Sequence, residues 1–338
     1  MKHLLKSVAA VCSLQLLVLA APAQQKSTLK IVNTFHIASS GGWDYLAVSP
    51  VKNWLYVSHG GQVNIVDKTT GDSVGYIPNT TGVHGIAFDP ADNKGYTSNG
   101  RLNTVTIFNL NDNKVIGEIK TGENPDAIFY EPFSKKIITC SGRSKDLSVI
   151  DPVTSKVVST IALNGKPETA VSDGKGKLFV NIEDKNEIAC VDLTTNKVLA
   201  SWSIAPGDGP TGLAYDENNK RLFAGCEKQL MVIDATNGKV VTKVPIGEGC
   251  DGVAFDRANK MIFTSNGEGT MTAIHVDAAD KYTVVDDFKT KRGARTICID
   301  NATHMLYLPT ADFDPVQKNE NGRPMMIPGS FQVLAIAQ

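Results

Sequence analysis

The sequence predicts an all-β protein, a seven-bladed β-propeller built from four-stranded antiparallel blades. Three observations predict this fold. A short motif recurs seven times, at intervals of about forty residues. Three more apolar runs, separated by turn residues, follow each copy. The last copy lacks its fourth run, while an unassigned run stands near the start of the chain.

The recurring motif is clearest in residues 83–90, VHGIAFDP, and in residues 250–256, CDGVAFD. The equivalent positions of the seven copies, which we call the ring positions, are Asp44, His84, Asp126, Glu168, Thr211, Asp251 and Arg295. Their spacings are 40, 42, 42, 43, 40 and 44 residues, which is the length of one four-stranded propeller blade.

The rest of each repeat consists of short runs bounded by Asp, Asn and Gly. Residues 54–57 (WLYV) form a second run, residues 63–67 (VNIVD) a third, and residues 239–244 (KVVTKV) are an example of the fourth. Alternating or continuous apolar runs of this length between turn residues are typical of β-strands. No segment after residue 23 has a convincing helical period.

The two ends of the chain predict how the ring closes. The last repeat has runs at residues 295–299, 305–308 and 331–336, and then the chain stops. Residues 29–37, LKIVNTFHI, form a spare strand that would complete blade seven as its fourth strand. Closure would leave only short outer edges and would make residues 24–338 one domain.

Residues 1–23 predict a signal peptide. Lys2 and Lys6 precede an apolar run over residues 8–20, and Ala21-Pro22-Ala23 provides the small residues of a cleavage site. The run is too short to span a membrane comfortably, so we expect a periplasmic or secreted protein without a membrane span. Cleavage removes two of the 34 basic residues and none of the 35 acidic ones, leaving a formal charge of −3. This balance argues against a general nucleic-acid binder.

Five cysteines follow the predicted cleavage site, without a CxxC or CxxCH pattern, so common zinc, thioredoxin and haem signatures are absent. Cys226 and Cys250 occupy nearly equivalent places around the boundary of blades five and six. They could form a disulfide in an oxidising compartment, or they could be two free thiols packed as small apolar groups.

Candidate ligand-binding residues converge on one end of the predicted channel. The first strand of a propeller blade is innermost, and in an antiparallel meander its start lies beside the end of the second strand. The predicted mouth residues are Asp44, His59, His84, Asp126, Arg143, Glu168, Glu183, Glu227, Asp251, Arg295 and Asp312. A concave mouth with convergent polar groups is the default binding site, although such residues can also cap strands.

His59 and His84 are candidates for a metal site. His59 ends the second strand of blade one and His84 begins blade two, so the two rings are expected to be close, with Asp44 and Asp126 nearby. Imidazole and carboxylate ligands suit zinc, copper or iron. The alternative is two partly buried, hydrogen-bonded histidines, since no short metal motif is present. No cofactor is otherwise predicted.

Several second strands carry a further signature: residues 55–58 read LYVS, residues 95–99 GYTSN and residues 263–266 FTSN. With the following VxIVD strand and TTG turn, they resemble the YVTN repeat of YncE-like propellers over essentially the whole chain after residue 23. The resemblance implies an extracytoplasmic seven-bladed propeller. Such proteins include surface-layer proteins, a periplasmic member with affinity for single-stranded DNA, and members labelled lactonases.

The function that these observations favour is extracytoplasmic binding. The channel mouth and the long loop between residues 308 and 331 would bind a small ligand, a glycan or a protein. The protein is expected to be a monomer. GxxxxGK[ST], GxSxG and HExxH motifs are absent, so no catalytic residue is assigned. Two alternatives remain: a lactonase-like metal-assisted hydrolase at the acidic, histidine-bearing mouth, and, less favoured by the charge, single-stranded nucleic-acid binding.

Overall fold

The computed structural model describes residues 28–320, 322 and 324–338. The predicted signal peptide, residues 1–23, lies outside the described residues. The described chain is almost entirely strand, and its one helical segment is the 3-10 turn Glu183–Lys185. Within this part of the chain, no helix is long and apolar enough to cross a membrane.

Twenty-eight of the strands form seven four-stranded sheets, in agreement with the predicted seven-bladed propeller. Blades one and two are Trp43–Val48 (β2), Trp54–His59 (β3), Gln62–Asp67 (β4), Ser73–Ile77 (β5), and Val83–Asp89 (β6), Lys94–Asn99 (β7), Thr104–Asn109 (β8), Val115–Lys120 (β9). Blades three and four are Pro125–Glu131 (β10), Lys136–Ser141 (β11), Asp146–Asp151 (β12), Lys156–Ala162 (β13), and Pro167–Ser172 (β14), Lys177–Ile182 (β15), Glu187–Asp192 (β16), Lys197–Ser203 (β17).

Blades five and six are Leu213–Asp216 (β18), Arg221–Cys226 (β19), Gln229–Asp234 (β20), Val240–Pro245 (β21), and Cys250–Asp256 (β22), Met261–Asn266 (β23), Thr270–Ala278 (β24), Lys281–Lys289 (β25). Blade seven contains Cys298–Asp300 (β26), Met305–Thr310 (β27), Gln332–Ala337 (β30) and, antiparallel to β30, the early strand Lys30–His36 (β1). A separate two-stranded hairpin, Phe313–Lys318 (β28) and Pro324–Met326 (β29), stands between β27 and β30.

The burial of each strand reflects its place in the blade. The middle strands β3 and β4 are buried along most of their length because neighbouring blades cover both of their faces. The outermost strand β13 alternates between exposed and less exposed positions because one of its faces meets water. First strands contact the first strands of adjacent blades, as β6 contacts β2 and β10, which makes them the inner wall of the channel.

The core lies between the blades. Tyr56 of blade one is fully buried against two rings of blade two, with centroids 5.0 Å from Phe88 and 5.7 Å from Phe108. Buried aromatic pairs of this geometry stabilise a contact beyond the area they bury. Each blade therefore depends on its neighbours for its hydrophobic core, and the ring as a whole supports the channel.

The segment after β27, predicted from the sequence as a long loop, is largely the β28–β29 hairpin. Its base is attached to the ring: the Phe313 ring lies 6.1 Å from that of Trp43, and the Trp43 indole donates a hydrogen bond to the Gly293 carbonyl at 3.2 Å. Asp312, just before β28, is ion-paired with Lys291 at 2.5 Å. These contacts place the hairpin beside the start of blade seven.

Cys226 and Cys250 are both free thiols, so the disulfide that the sequence left open is not formed. Each thiol points at a backbone carbonyl, Cys226 at Ala224 (3.7 Å) and Cys250 at Gly252 (3.6 Å). They pack as small apolar side chains in the core between blades.

We expect Cys226 and Cys250 of the native protein to resist thiol alkylation, because both are buried and burial raises the pKa of the Cys226 thiol to about 12. Unfolding without a reductant should then expose every thiol of the chain that follows residue 23. Intact mass after alkylation in denaturant should show five labels. Three labels would reveal a disulfide and contradict the structure.

Candidate functional site

The side chains at three of the ring positions point into the channel because the pairing of the inner strands is irregular there. The register of β2 shifts between Trp43 and Leu46, that of β6 between Val83 and Ile86, and that of β10 between Pro125 and Ile128. Such bulges remove residues from the ladder and re-aim their side chains. Asp44, His84 and Asp126 lie within these three bulges.

Hydroxyl groups hold the bulged backbone in place. Ser98 accepts from the Gly85 amide at 2.8 Å and donates to the Asp126 carbonyl of the next blade. Thr296 of blade seven donates to the Asp44 carbonyl at 2.6 Å. These hydroxyls, one of them from the LYVS/YTSN signature, tie each channel residue to its neighbouring blade. The repeat signature therefore has a structural role in positioning the mouth.

Asp44, His84 and Asp126 form a cluster at the mouth. The Nδ1 atom of His84 lies 2.6 Å from Asp44 Oδ2 and 3.7 Å from Asp126 Oδ1. One donor atom from each residue lies within 4.8 Å of the others. We call these three residues the triad. The sequence placed all three at the mouth, and the structure brings them together.

The triad lies among closely spaced carboxylates, those of Asp44, Asp126 and Glu168. Burial, together with the charges of Glu168 and Asp44, raises the pKa of Asp126 to about 8. Burial by itself would lower the pKa of His84, but the hydrogen bond that its ring donates to Asp44 and the nearby carboxylates raise that pKa to about 9. The site therefore favours positive charge, whether a proton or another cation.

Lys166 and Glu183 extend the mouth beyond Glu168. The Lys166 ammonium lies 3.1 Å from Glu168 and also contacts Glu183. Burial raises the pKa of Glu168, and the charge of Lys166 opposes that rise. Lys166 is not among the residues that the sequence analysis predicts at the mouth. The residue two places before the ring position is glycine in five blades and Asn124 in another. The lysine is thus a visible exception in the repeat.

Arg295 and Asp251 neutralise each other beside the triad, on the side of blades six and seven. The Arg295 guanidinium is ion-paired with Asp251, lies 3.8 Å from Asp44, and donates to the Trp43 carbonyl at 2.9 Å. The charges of Arg295 and Asp251 are therefore compensated within blades six and seven.

Tyr45 crosses the channel and was also missed. Its hydroxyl lies 3.3 Å from the Thr169 hydroxyl of blade four, and its ring packs against the core of blades three and four. Burial and the charges of Asp126 and Glu168 raise its pKa, so the phenol stays neutral. The residue after the ring position is small in the other six blades, for example Gly85 and Gly212. Tyr45 is again the exception that an alignment of the repeats would show.

His59 does not lie beside His84 in the structure. The prediction that His59 could be a metal ligand is therefore wrong. The His59 ring is fully buried, stacked on Phe331 with centroids 3.7 Å apart. Its Nδ1 bonds to Ser39 Oγ at 2.6 Å and its Nε2 to the Gly41 carbonyl at 2.8 Å. Burial lowers its pKa to about 4. With both nitrogens engaged, His59 is a structural, neutral histidine.

Three predicted mouth residues lie at the periphery. Arg143 and Glu227 are exposed in turns, and Asp312 pairs with Lys291 near the hairpin. Asn99 and Asn266, the last residues of β7 and β23, are fully buried. Each amide bonds to threonine hydroxyls within its own blade, as Asn99 does to Thr106 at 2.8 Å. These asparagines stabilise strands and do not reach the channel.

Comparison with known proteins supports the fold and goes no further. No protein-family model matches the chain, and no curated protein matches it in sequence. It is similar to a solved structure described as Kuenenia stuttgartiensis hydrazine synthase, with 17% identity and a TM-score of 0.69. The match covers 86% of this chain and 95% of that one. Similarity at this identity shows the propeller fold alone, and the YncE-like resemblance stays a prediction from the repeat residues.

A second cavity, of about 720 Å³, lies at the other end of the blades, between the turns of blades one and seven. Its charged lining includes Lys68 and Asp300, which form an ion pair 2.5 Å long. Asp300 also accepts bonds from the turn that it caps. Its polar groups thus serve the turns. We therefore place the candidate site at the triad.

Proposed function

We propose that the protein is an extracytoplasmic binding protein whose ligand enters the channel mouth beside the triad, Glu168 and Lys166. The ligand would be a small molecule that carries several hydrogen-bond donors, such as the hydroxyls of a sugar or an ammonium group. A glycan or protein bearing such groups could extend further, toward the β28–β29 hairpin.

One observation carries this proposal: one oxygen of a buried carboxyl group at the mouth has no hydrogen-bond partner among the described residues. Asp126 is only 7% exposed, and its Oδ1 has no hydrogen bond among the described residues. Buried polar groups are nearly always satisfied, and an unsatisfied one calls for an explanation such as an absent ligand. The neighbouring Asp44 and Glu168 select for donors and positive charge over acceptors.

The same charges weigh against the alternative of nucleic-acid binding. A phosphate backbone is attracted by lysine and arginine and repelled by carboxylates. Lys166 and Arg295, two cations at the mouth, are already paired with carboxylates. The hydrolase alternative has no nucleophile or base that the geometry singles out, so binding is preferred.

The test is a thermal-shift screen of the mature protein in EDTA with glucose, xylose, myo-inositol, putrescine and spermidine as probes. We expect at least one probe to raise the melting temperature, because binding to the native state alone stabilises it. Asp126→Asn and Glu168→Gln should each abolish that shift, since either change removes a carboxylate from the mouth.

The matched controls are Asp287→Asn and Glu118→Gln, which make the same changes at exposed positions on outer strands. Both should keep the shift of the unmodified protein. If no probe stabilises the protein, or if the mouth variants respond like the controls, the proposed binding site is wrong.

A further inference from the structure

We propose that Asp44, His84 and Asp126 bind a divalent transition-metal cation, with zinc as the reference ion. The inference deepens the proposed function and rests on it, because it names a species that the same mouth would hold. One imidazole and two carboxylates form a mixed donor set that suits zinc, manganese or iron better than calcium or magnesium, which prefer all-oxygen sites.

The distances within the triad fit such an ion with small movements. Ligands of a tetrahedral zinc lie about 2.1 Å from the metal, so their atoms are roughly 3.4 Å apart. The His84 Nδ1–Asp126 Oδ1 distance of 3.7 Å is close to this value. The His84 Nδ1–Asp44 Oδ2 distance of 2.6 Å is a hydrogen bond, which an ion replacing the proton would lengthen by about 1 Å.

The unpaired Oδ1 of Asp126 is an independent reason to expect an ion here. This atom is inaccessible to solvent, has no hydrogen-bond partner in the described part of the chain, and faces the imidazole. Burying an unpaired carboxylate oxygen is costly, whereas coordination to a cation would satisfy it. Hydrogen bonds within the triad do not explain it.

The backbone around the three ligands is held in place before any ion arrives. Ser58 accepts from the Asp44 amide at 3.1 Å, and Ser98 donates to the Asp126 carbonyl. Gly100 leaves room for the His84 ring, since a Cβ there would come within 2.6 Å of Nε2. Ligands on restrained strands keep the precise geometry that a metal requires.

The charges that face the triad favour a cation. Glu168 adds a negative charge beside Asp126, and its own partner is Lys166. Arg295 lies 3.8 Å from Asp44 Oδ1, but its guanidinium is bound to Asp251. Three protein ligands would leave a coordination position toward the open mouth for water or for a donor atom of the ligand.

The experiment is a zinc titration of the metal-free mature protein by calorimetry, with variants His84→Gln and Asp126→Asn. The matched control is His275→Gln, because His275 and Asp277 form a similar pair at 2.7 Å on the outer part of blade six. We expect one equivalent of zinc to bind to the unmodified and control proteins. Each triad variant should lose at least tenfold in affinity.

A cobalt(II) titration of the unmodified protein supplies a readout that does not depend on variant folding. A visible d–d spectrum of tetrahedral intensity that zinc displaces would support the proposal. A featureless spectrum, equal zinc affinity in the triad variants, or preference for calcium over zinc would overturn it. The probe screen is run in EDTA, so probe binding without zinc binding removes only the metal proposal, and failure of both removes the proposed function as well.

Discussion

Truncation of Tyr45 to alanine is expected to lower the free energy of unfolding by about 3 kcal/mol, the lower end for loss of an aromatic ring from a packed site. The ring crosses the channel from blade one to the core between blades three and four. Tyr45→Phe should cost only about 1 kcal/mol, for the hydrogen bond to Thr169. Urea denaturation, followed by fluorescence, measures both changes.

Tyr76→Ala is the matched control for this experiment. Tyr76 lies on the outer strand β5 with 57% of its surface exposed, so its truncation should change stability by about 0.5 kcal/mol or less. Equal losses for Tyr45→Ala and Tyr76→Ala would mean that the phenol does not connect the two sides of the channel.

Acidification from pH 7 to pH 4 is expected to remove about 3 kcal/mol of stability through His59 alone. The native pKa of this buried ring is about 4, and the unfolded value is 6.5. The unfolded chain therefore binds the proton first as the pH falls. The contribution of His59 is complete above pH 6.5 and is lost between pH 6.5 and pH 4.

The measurement is the unfolding free energy against pH for the unmodified protein, His59→Gln and the exposed-site control His275→Gln. The absolute stability of His59→Gln will be lower. The three proteins are therefore compared by the slope of the unfolding free energy against pH between pH 6.5 and pH 4. It should flatten only in His59→Gln. An unchanged slope there would show that His59 is not held neutral by burial.

Most of the fold was accessible from the sequence because the repeat fixes it. Seven copies with turn residues at constant offsets allow few architectures other than a ring of four-stranded sheets. The ring positions were accessible for the same reason, since homologous positions of equal blades must surround one axis. The repeat alone thus predicts that Asp44, His84 and Asp126 lie at one mouth of the channel.

The grouping of those residues was less accessible, because it depends on side-chain direction. His59 and His84 were expected to be neighbours from strand ends alone. In the structure, the His59 ring at the end of β3 is stacked on Phe331, whereas the β6 bulge directs His84 toward the channel. Tyr45 and Lys166 break the repeat at single positions. Only a comparison of one blade with the other six would have shown them.

Because the bulges take the ring positions out of the strand ladder, the residues that stabilise the fold are separate from the residues that line the channel. The residues that pair the strands and fill the spaces between blades are different from those that enter the channel, such as Asp44 and His84. Exchange of a channel residue therefore alters what the mouth recognises while the ladder and core stay intact. Such a scaffold is readily diversified, in evolution or by design, because one ring of positions can acquire a new specificity without a new fold.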